Sequence, residues 1–338
     1  MGIQTSKKAF DQVLSLWNEK YVVYGPKTFV DAGAFSDTDQ VRYDVISSFD
    51  EIVFNEKTHF SFKEVMLPIV QSMFFFTEDD IKEAEKNDQA LIVLLRSCDL
   101  HAVRRLDDVY LSGEFEDVYY KAFREKTKFI VMGCETSFAN CFCVSMGTNR
   151  VDDYDGYLHQ SGDDVLLNIK DPQLLTAFDQ VEKIEKTVAE KFVTENDIQV
   201  TIPEKINLDA LYSDMWEEYT IRCTACGRCN FTCPTCTCFT TQDICYTDNP
   251  KCGERRRVWA SCQIDGFTNM AGGHQFREKK GQRMRFKTMH KIHDFKKKHG
   301  YHMCVGCGRC TDVCPEYISF STAINKLADV TKEGQGNE

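Results

Sequence analysis

The sequence predicts an α+β protein: an N-terminal α/β domain over residues 1–219, followed by a mostly helical, cysteine-rich domain over residues 220–338. Two observations predict this division. Short, continuous apolar runs and helical spacing mark the first part, whereas a cysteine motif recurs near the two ends of the second part. With 338 residues, 42% of them hydrophobic, the chain can form cores for both domains without disulfide bonds.

One helix and two strands of the first domain can be placed directly. The helical spacing is carried by Phe10, Val13, Leu14 and Trp17. The runs ALIVLLRSCD (90–99) and KFIVMGCE (128–135) are typical of strands that are buried on both faces. The acidic segment 171–219 predicts helices with a short extended piece near 197–203, and it forms a bridge to the second domain.

The 17 cysteines need an explanation other than disulfide bonds. The first residues, MGIQTSKKAF, include no apolar leader, and no run of about eighteen apolar residues occurs, so we expect a cytoplasmic protein outside the membrane. In a reducing compartment, clustered thiols indicate metal binding or redox chemistry.

Two phrases, CTACGRCNFTCP (223–234) and CVGCGRCTDVCP (304–315), share the spacing C-x2-C-x2-C-x3-C-P. This is the bacterial ferredoxin pattern for 4Fe-4S clusters, in which three cysteines bind one cluster and the fourth binds the other. One predicted ligand set is Cys223, Cys226, Cys229 and Cys314, and the second is Cys304, Cys307, Cys310 and Cys233. The alternative is a pair of zinc sites, but zinc would use two C-x2-C pairs or mixed cysteine and histidine sets.

A third set of cysteines lies in the first domain. Its members are Cys98, Cys134, Cys141 and Cys143, with Asp99 as a possible oxygen ligand. Cysteines just past the carboxyl ends of neighbouring strands can converge in the crevice of an open sheet. The set could hold a third 4Fe-4S cluster, or some of its members could be buried small hydrophobic residues.

Five further cysteines have no recognisable ligand spacing, and the simplest interpretation is that they pack in the core. They are Cys236, Cys238, Cys245, Cys252 and Cys262.

Several motifs are absent from the sequence. It has neither G-x-G-x-x-G after a strand nor a Walker A motif, and outside the two ferredoxin motifs it lacks the C-x5-C and C-x3-C pattern of a siroheme-coupled cluster. We therefore expect electrons to arrive through another subunit and the substrate to be reduced elsewhere. No catalytic residue is assigned, and His274 in a glycine-rich loop is interpreted as structural.

The charge is unevenly distributed. The chain carries −11 overall, yet residues 251–299 contain fourteen Lys and Arg against four Asp and Glu. This basic segment is either a solvated face or a source of positive charge near anionic clusters, with Arg255, Arg256 and Arg257 as candidates. Nucleic-acid binding is disfavoured because the whole chain is acidic and the segment has no known fold signature.

The phrases ANCFCVSMGTN, NPKCGERRRVWASC and GFTNMAGGHQFREKKGQRMR, with GAFSDTD and RSCDLHAVRRLD, closely resemble the iron-sulfur electron-transfer subunit of anaerobic sulfite reductases. The first-domain cysteines and tandem motifs are also similar to sulfhydrogenase β subunits. The first resemblance implies that electrons pass through the chain from a flavin subunit that oxidises NADH to a siroheme subunit that reduces sulfite to hydrogen sulfide. It also favours the third cluster, leaving open whether Cys98 or Asp99 is the ligand.

The alternatives are the β subunit of a sulfhydrogenase-type nickel-iron hydrogenase and, from another class, a zinc-stabilised interaction or nucleic-acid-binding protein.

Overall fold

The structure is a computed structural model that describes residues 1–35, 37–85, 89–246 and 248–335. The described residues form two compact units. The first unit lies within residues 1–66, 88–199 and 305–309, and the second within 67–87, 200–304 and 310–338. In the described ranges, no helix combines the length and apolar character needed to cross a bilayer.

Strands and helices are numbered in chain order. The strands are β1 (Gly2–Ser6), β2 (Val22–Phe29), β3 (Gln40–Val45), β4 (Val70–Phe76), β5 (Ile81–Glu83), β6 (Leu91–Leu95), β7 (Thr127–Met132), β8 (Gly156–Ser161), β9 (Asp164–Ile169), β10 (Ile184–Glu185), β11 (Phe239–Cys245) and β12 (Gly253–Trp259). The α-helices are α1 (Lys7–Asn18), α2 (Lys63–Met66), α3 (Ser97–Tyr110), α4 (Val118–Arg124), α5 (Pro172–Leu175), α6 (Glu217–Arg222), α7 (Arg228–Phe231), α8 (Lys280–Met289), α9 (Phe295–His299), α10 (Arg309–Asp312) and α11 (Phe320–Gln335).

The first unit is built on an eight-stranded sheet in the order β10-β1-β9-β8-β7-β6-β2-β3. Its centre is parallel, because β2, β6, β7 and β8 run in one direction, whereas the outer pairings are antiparallel. All five residues of β6 are buried, as expected of a central parallel strand. The two strands predicted from their apolar runs are therefore confirmed as β6 and β7.

Helix α1 confirms the helical spacing seen in the sequence. Ser6 caps its N-terminus by accepting a hydrogen bond from the Ala9 N–H group at 3.2 Å. The four predicted apolar side chains are buried, and the rings of Phe10 and Trp17 pack edge to face, with centroids 5.8 Å apart. This helix therefore forms part of the core of the first unit.

The acidic segment 171–219 differs from its prediction. Regular helices are confined to short pieces such as α5 and the 3₁₀ segments Thr176–Gln180 and Leu208–Tyr212, and residues 186–207 contain no helix or strand. The physical reason is that side chains satisfy this backbone: Asn168 donates to the Val188 carbonyl at 3.1 Å and Asn149 to the Val193 carbonyl at 2.8 Å. The helical bridge was therefore a wrong prediction.

The second unit combines helices with a four-stranded antiparallel sheet, β11-β12-β4-β5. Strands β11 and β12 pair along their whole length, from Phe239 opposite Trp259 to Cys245 opposite Gly253. Helices α8 and α9 are joined by a π-helical turn, His290–Asp294, so the helical backbone continues from 280 to 299. The prediction of a mostly helical second domain is not clearly confirmed, because this sheet is a major part of the unit.

Candidate metal centres

Five cysteines surround a cavity of about 350 Å³ in the first unit, here called the first-unit cavity. Its walls are formed by Lys57, Arg96, Cys98, Cys134, Thr136, Ser137, Phe138, Cys141, Cys143, Val193, Asn196, Cys307 and Arg309. The four cysteines predicted for a third cluster are thus brought together, and Cys307 joins them.

The sheet positions two of these cysteines. Strands β6 and β7 are parallel neighbours, with Leu95 opposite Val131. Cys98 lies in the first turn of α3, just after β6, and Cys134 lies two residues after β7. Because parallel strands end at the same edge of a sheet, both thiols reach the same cavity.

A close contact between two loops positions the other three cysteines. The Phe142 N–H group donates to the Gly306 carbonyl at 2.8 Å, and the Cys141 thiol donates to the Cys307 carbonyl at 3.5 Å. Gly306 and Gly308 have φ values of +66° and +73°, and a Cβ at Gly308 would lie 2.3 Å from the Asn140 carbonyl oxygen. The G-x-G sequence between the cysteines is therefore required by the backbone conformation and by the approach of residues 140–143.

Asp99 is held in an ion pair. Its side chain is fully buried, and its two carboxylate oxygens accept hydrogen bonds from the Arg309 guanidinium at 2.7 and 2.9 Å. Arg309 also donates to the carbonyl and hydroxyl of Thr58, at 3.1 and 3.0 Å. Burial would lower the pKa of Arg309, but Asp99 and the neighbouring thiols raise it well above its ordinary value. Both carboxylate oxygens of Asp99 are therefore engaged by Arg309.

Amide and ammonium groups complete the wall. Lys57 Nζ donates to the carbonyls of Ala139 and Cys307 at 2.7 and 3.1 Å. Asn196 is 4% exposed, accepts from the Val144 N–H group at 2.8 Å, and lies 3.7 Å from the Cys143 sulfur. These contacts fix the loop that carries the cysteines.

Burial keeps the thiols of Cys98, Cys141 and Cys143 protonated in the metal-free protein. It raises the pKa of Cys141 to about 12 and that of Cys143 to about 11, and it raises the pKa of Cys98 well above its ordinary value. Because metal binding requires thiolates, loading this site would release protons.

A second cysteine-lined cavity, of about 500 Å³ including its opening, lies in the second unit and is here called the second-unit cavity. Its walls are formed by Cys223, Thr224, Cys226, Gly227, Arg228, Cys229, Gln263, Met284, Lys287, Cys310, Cys314, Glu316, Ile318 and Phe320. Sulfur accepts backbone hydrogen bonds here: Ala225 N–H donates to Cys223 and Ile318 N–H to Cys314, both at 3.3 Å. Hydrogen bonds to the sulfur ligands are one of the features that set the potential of an iron-sulfur cluster.

A third group of thiols lies beside Lys291, and we call it the Cys233 group: Cys233, Cys236 and Cys304. The Cys233 and Cys236 thiols hydrogen-bond to each other, and the Cys233 sulfur lies 3.4 Å from the Thr235 hydroxyl. The Cys236 hydrogen bond, assisted by Lys291, holds the pKa of Cys233 well below its ordinary value.

Cys238 and Cys262 form a further hydrogen-bonded pair of thiols. The Cys262 sulfur also accepts from the buried amides of Asn230 at 3.1 Å and Gln263 at 3.7 Å. The hydrogen bond from Cys238, followed by those from the amides, lowers the pKa of Cys262 to about 5. The sequence interpretation of these two residues as packing cysteines missed these contacts, because no regular spacing in the sequence indicates them.

The predicted ligand sets are distributed as follows. Cys223, Cys226, Cys229 and Cys314 meet at the second-unit cavity, and Cys310 is with them. The second predicted set is divided: Cys233 and Cys304 lie beside Lys291, whereas Cys307 lies in the first-unit cavity. Cys245 and Cys252 line neither cavity.

The basic segment contributes differently from the prediction. Arg255 pairs with Asp243 at 2.6 Å, Arg256 pairs with Glu254, and Arg257 donates to Gln71 at 2.7 Å, so none of the three lines the second-unit cavity. Lys287 and Lys291 are the residues of this segment that reach the thiols. Their spacing of four on one helix was the available signal.

Comparison with known proteins gives one family match and one similar protein. Residues 222–318 match the 4Fe-4S dicluster domain family. The chain is 28% identical over 311 residues to sulfhydrogenase 2 subunit beta of Pyrococcus furiosus, covering 87% of this chain and 89% of that protein. No solved structure matches the chain. The chain thus carries a 4Fe-4S dicluster domain in its C-terminal region and is similar to a sulfhydrogenase β subunit over most of its length.

Proposed function

We propose that this chain is an iron-sulfur electron-transfer subunit of a cytoplasmic anaerobic sulfite reductase. It would carry electrons from a flavin subunit that oxidises NADH to a siroheme subunit that reduces sulfite. The observation that carries the electron-transfer role is the convergence of cysteines around two cavities, one of them inside the dicluster domain. The choice of sulfite reductase rests on the sequence phrases that resemble its iron-sulfur subunit.

The donor sets fit clusters better than single zinc ions. Within the described ranges, no three cysteine, histidine or carboxylate side chains converge closely enough to bind one metal ion. The thiols instead line two cavities in sets of five, and thiolates are the ligands of iron-sulfur clusters.

We assign the thiols as follows. By the spacing of the two motifs, Cys223, Cys226, Cys229 and Cys314 would hold one 4Fe-4S cluster, and Cys304, Cys307, Cys310 and Cys233 a second, although Cys307 lines the first-unit cavity and Cys310 the second-unit cavity. A third would use Cys98, Cys134, Cys141 and Cys143. Asp99 is the weaker candidate for that site, because Arg309 occupies both of its oxygens.

The clusters, when bound, supply one-electron transfer. The chain supplies the sulfur ligands, the N–H groups that point at sulfur and the buried surroundings. Since sulfite reduction takes six electrons and NADH delivers two, such a chain would divide hydride pairs into single electrons. No side chain needs to act as an acid or base.

A second candidate function is the β subunit of a sulfhydrogenase-type nickel-iron hydrogenase. The similarity to the Pyrococcus furiosus protein favours it. Both functions need the same cysteine sites and differ only in partners.

Anaerobic purification tests both the electron-transfer role and the choice of partner subunits. We expect a brown protein whose colour bleaches with dithionite, whereas a colourless zinc protein would overturn the electron-transfer role. A tagged chain isolated from its native cells should then retain two partners, one carrying siroheme and the other carrying flavin. Recovery of a nickel-containing partner would instead support the hydrogenase candidate.

A further inference from the structure

The second unit buries two lysines one helical turn apart. Lys287 in α8 and Lys291 in the following π-helical turn are 3% and 4% exposed. Within the described part of the chain, no carboxylate lies within ion-pair distance of either ammonium group. Burying a charge without a counter-charge costs several kcal/mol, so something else must compensate these two.

Lys287 is directed to the cysteines of the second-unit cavity. It lines that cavity, and its Nζ donates to the Cys229 carbonyl at 3.3 Å. Burial would lower the pKa of Lys287, but the thiols of Cys229 and Cys310, followed by those of Cys236 and Cys233, raise it well above its ordinary value. Sulfur is therefore the available counter-charge.

Lys291 is directed to the Cys233 group. Its Nζ donates to the Thr235 hydroxyl at 2.7 Å, and that hydroxyl lies 3.4 Å from the Cys233 sulfur. The backbone carbonyl of Lys291 accepts from the N–H groups of Met303 and Cys304, at 2.9 and 3.4 Å. Burial would lower the pKa of Lys291, but the thiols of Cys233, Cys236 and Cys304 raise it above its ordinary value.

Lys287 thus lines the second-unit cavity and Lys291 lies beside the Cys233 group, while the thiols of Cys233 and Cys236 act on both ammonium groups. A lysine that only filled the core would extend its ammonium to solvent or pair it with a carboxylate. These two do neither. An ammonium beside an anionic cluster stabilises the reduced form more than the oxidised form, because reduction adds one negative charge.

We propose that Lys287 and Lys291 are positioning residues that raise the reduction potentials of two cluster sites. Lys287 acts mainly on the site at the second-unit cavity, which it lines, and Lys291 acts mainly on the site that includes Cys233 and Cys304. This inference rests on the proposed electron-transfer function. It predicts that each lysine shifts one reduction potential more than the other.

The test is a potentiometric titration of the loaded protein, followed by electron paramagnetic resonance. In Lys287→Met, we expect one cluster signal to lose at least tenfold in its reduced-to-oxidised ratio at fixed potential, which is a midpoint about 59 mV lower for a one-electron couple. Lys291→Met should shift the other signal. The Cys226→Ser variant identifies which signal belongs to the second-unit cavity.

Matched variants separate the effect of the lysine's positive charge on the midpoint potential from the effect of its shape. Lys297→Met, which removes an exposed ammonium from α9, should leave both midpoints unchanged. Lys287→Arg and Lys291→Arg keep the charge and should keep the midpoints near those of the unmodified protein. Unchanged midpoints in both methionine variants would overturn the inference.

Loss of iron gives an equally clear answer. If a methionine variant fails to retain its cluster and the arginine variant retains it, the positive charge is needed at that site, as proposed. If both lose iron equally, the lysine acts through its shape, and the inference is wrong. A colourless unmodified protein would instead overturn the proposed function itself.

Discussion

The first-unit cavity and the thiol groups of the second unit hold sulfur in different charge states when no metal is present. Burial keeps Cys141 and Cys143 protonated, with pKa values of about 12 and about 11. In the second unit, hydrogen bonds from a neighbouring thiol and from buried amides lower the pKa of Cys262 to about 5, and those from Cys236 and Thr235 hold the pKa of Cys233 well below its ordinary value, whereas the pKa values of the partner thiols Cys238 and Cys236 are raised. Desolvation can thus keep a cysteine side chain neutral, whereas hydrogen-bond donors around the sulfur can stabilise it as an anion.

The largest expected effect concerns the first-unit cavity alone. Replacing Cys141 and Cys143 together with serine should lower the iron content from about twelve per chain, the value expected for three 4Fe-4S clusters, to about eight, and should leave the signals of the dicluster domain intact. Iron per chain and the resonance spectrum measure this. As a control, the Cys245→Ser/Cys252→Ser variant should keep all its iron. Full iron content in the first variant would show that these cysteines are core residues.

The next prediction concerns the ion pair at the same cavity. Asp99→Asn leaves the Arg309 guanidinium buried without its counter-charge, so we expect a loss of about 3–5 kcal/mol in the free energy of unfolding. Urea denaturation measures it. Asp153→Asn breaks a pair whose carboxylate is 86% exposed, and it should cost less than about 1 kcal/mol. Equal costs would mean that Asp99 is not structurally coupled to the cavity.

A smaller effect is expected from replacing Gly308, one of the glycines that bring the two loops together. The control is Gly162→Ala. Its φ is +62° and no atom lies within 4 Å of the new Cβ, so this variant should show the conformational cost alone, about 1–2 kcal/mol. Gly308→Ala adds a Cβ 2.3 Å from the Asn140 carbonyl oxygen, so it should cost more. Unfolding midpoints of both variants give the difference. Equal costs would show that residues 140–143 shift freely.

The last effect is a dependence of stability on pH in the metal-free protein. The folded-state pKa values of Cys141 and Cys143 are above their ordinary value of 9.0, so the folded protein binds more protons than the unfolded chain at alkaline pH. Their contribution to stability is present below pH 9 and is lost as the pH rises toward 11 and 12. The urea midpoint should therefore fall more steeply above pH 9 than in the Cys141→Ser/Cys143→Ser variant. Parallel curves would contradict this.

Features that depend on residues close together in the sequence could be predicted from local patterns. The apolar runs predicted β6 and β7, and the motif spacing predicted a dicluster domain, which the family match confirms for residues 222–318. The convergence of Cys98 and Cys134 also followed, because adjacent parallel strands end at one edge. The assignment of individual cysteines to clusters remains a prediction.

Contacts between distant residues could not be predicted in this way. Cys307 and Cys141 are separated by 166 residues, and their meeting depends on tertiary packing. The lysines of α8 resembled a solvated charge run, because a sequence does not show which side of a basic helix is buried. The segment 186–207 lacks helices because distant asparagines satisfy its backbone, which no local propensity records.

The segment 305–309 has a consequence for how the protein can be divided. A fragment ending at residue 219 would contain the whole eight-stranded sheet and four of the five cysteines of its cavity, yet it would lack Cys307 and Arg309. Asp99 would then lie in the interior without its partner. Independent expression of the first domain would therefore require this peptide to be supplied again, for example fused after residue 199. The unit is continuous in space but not in sequence.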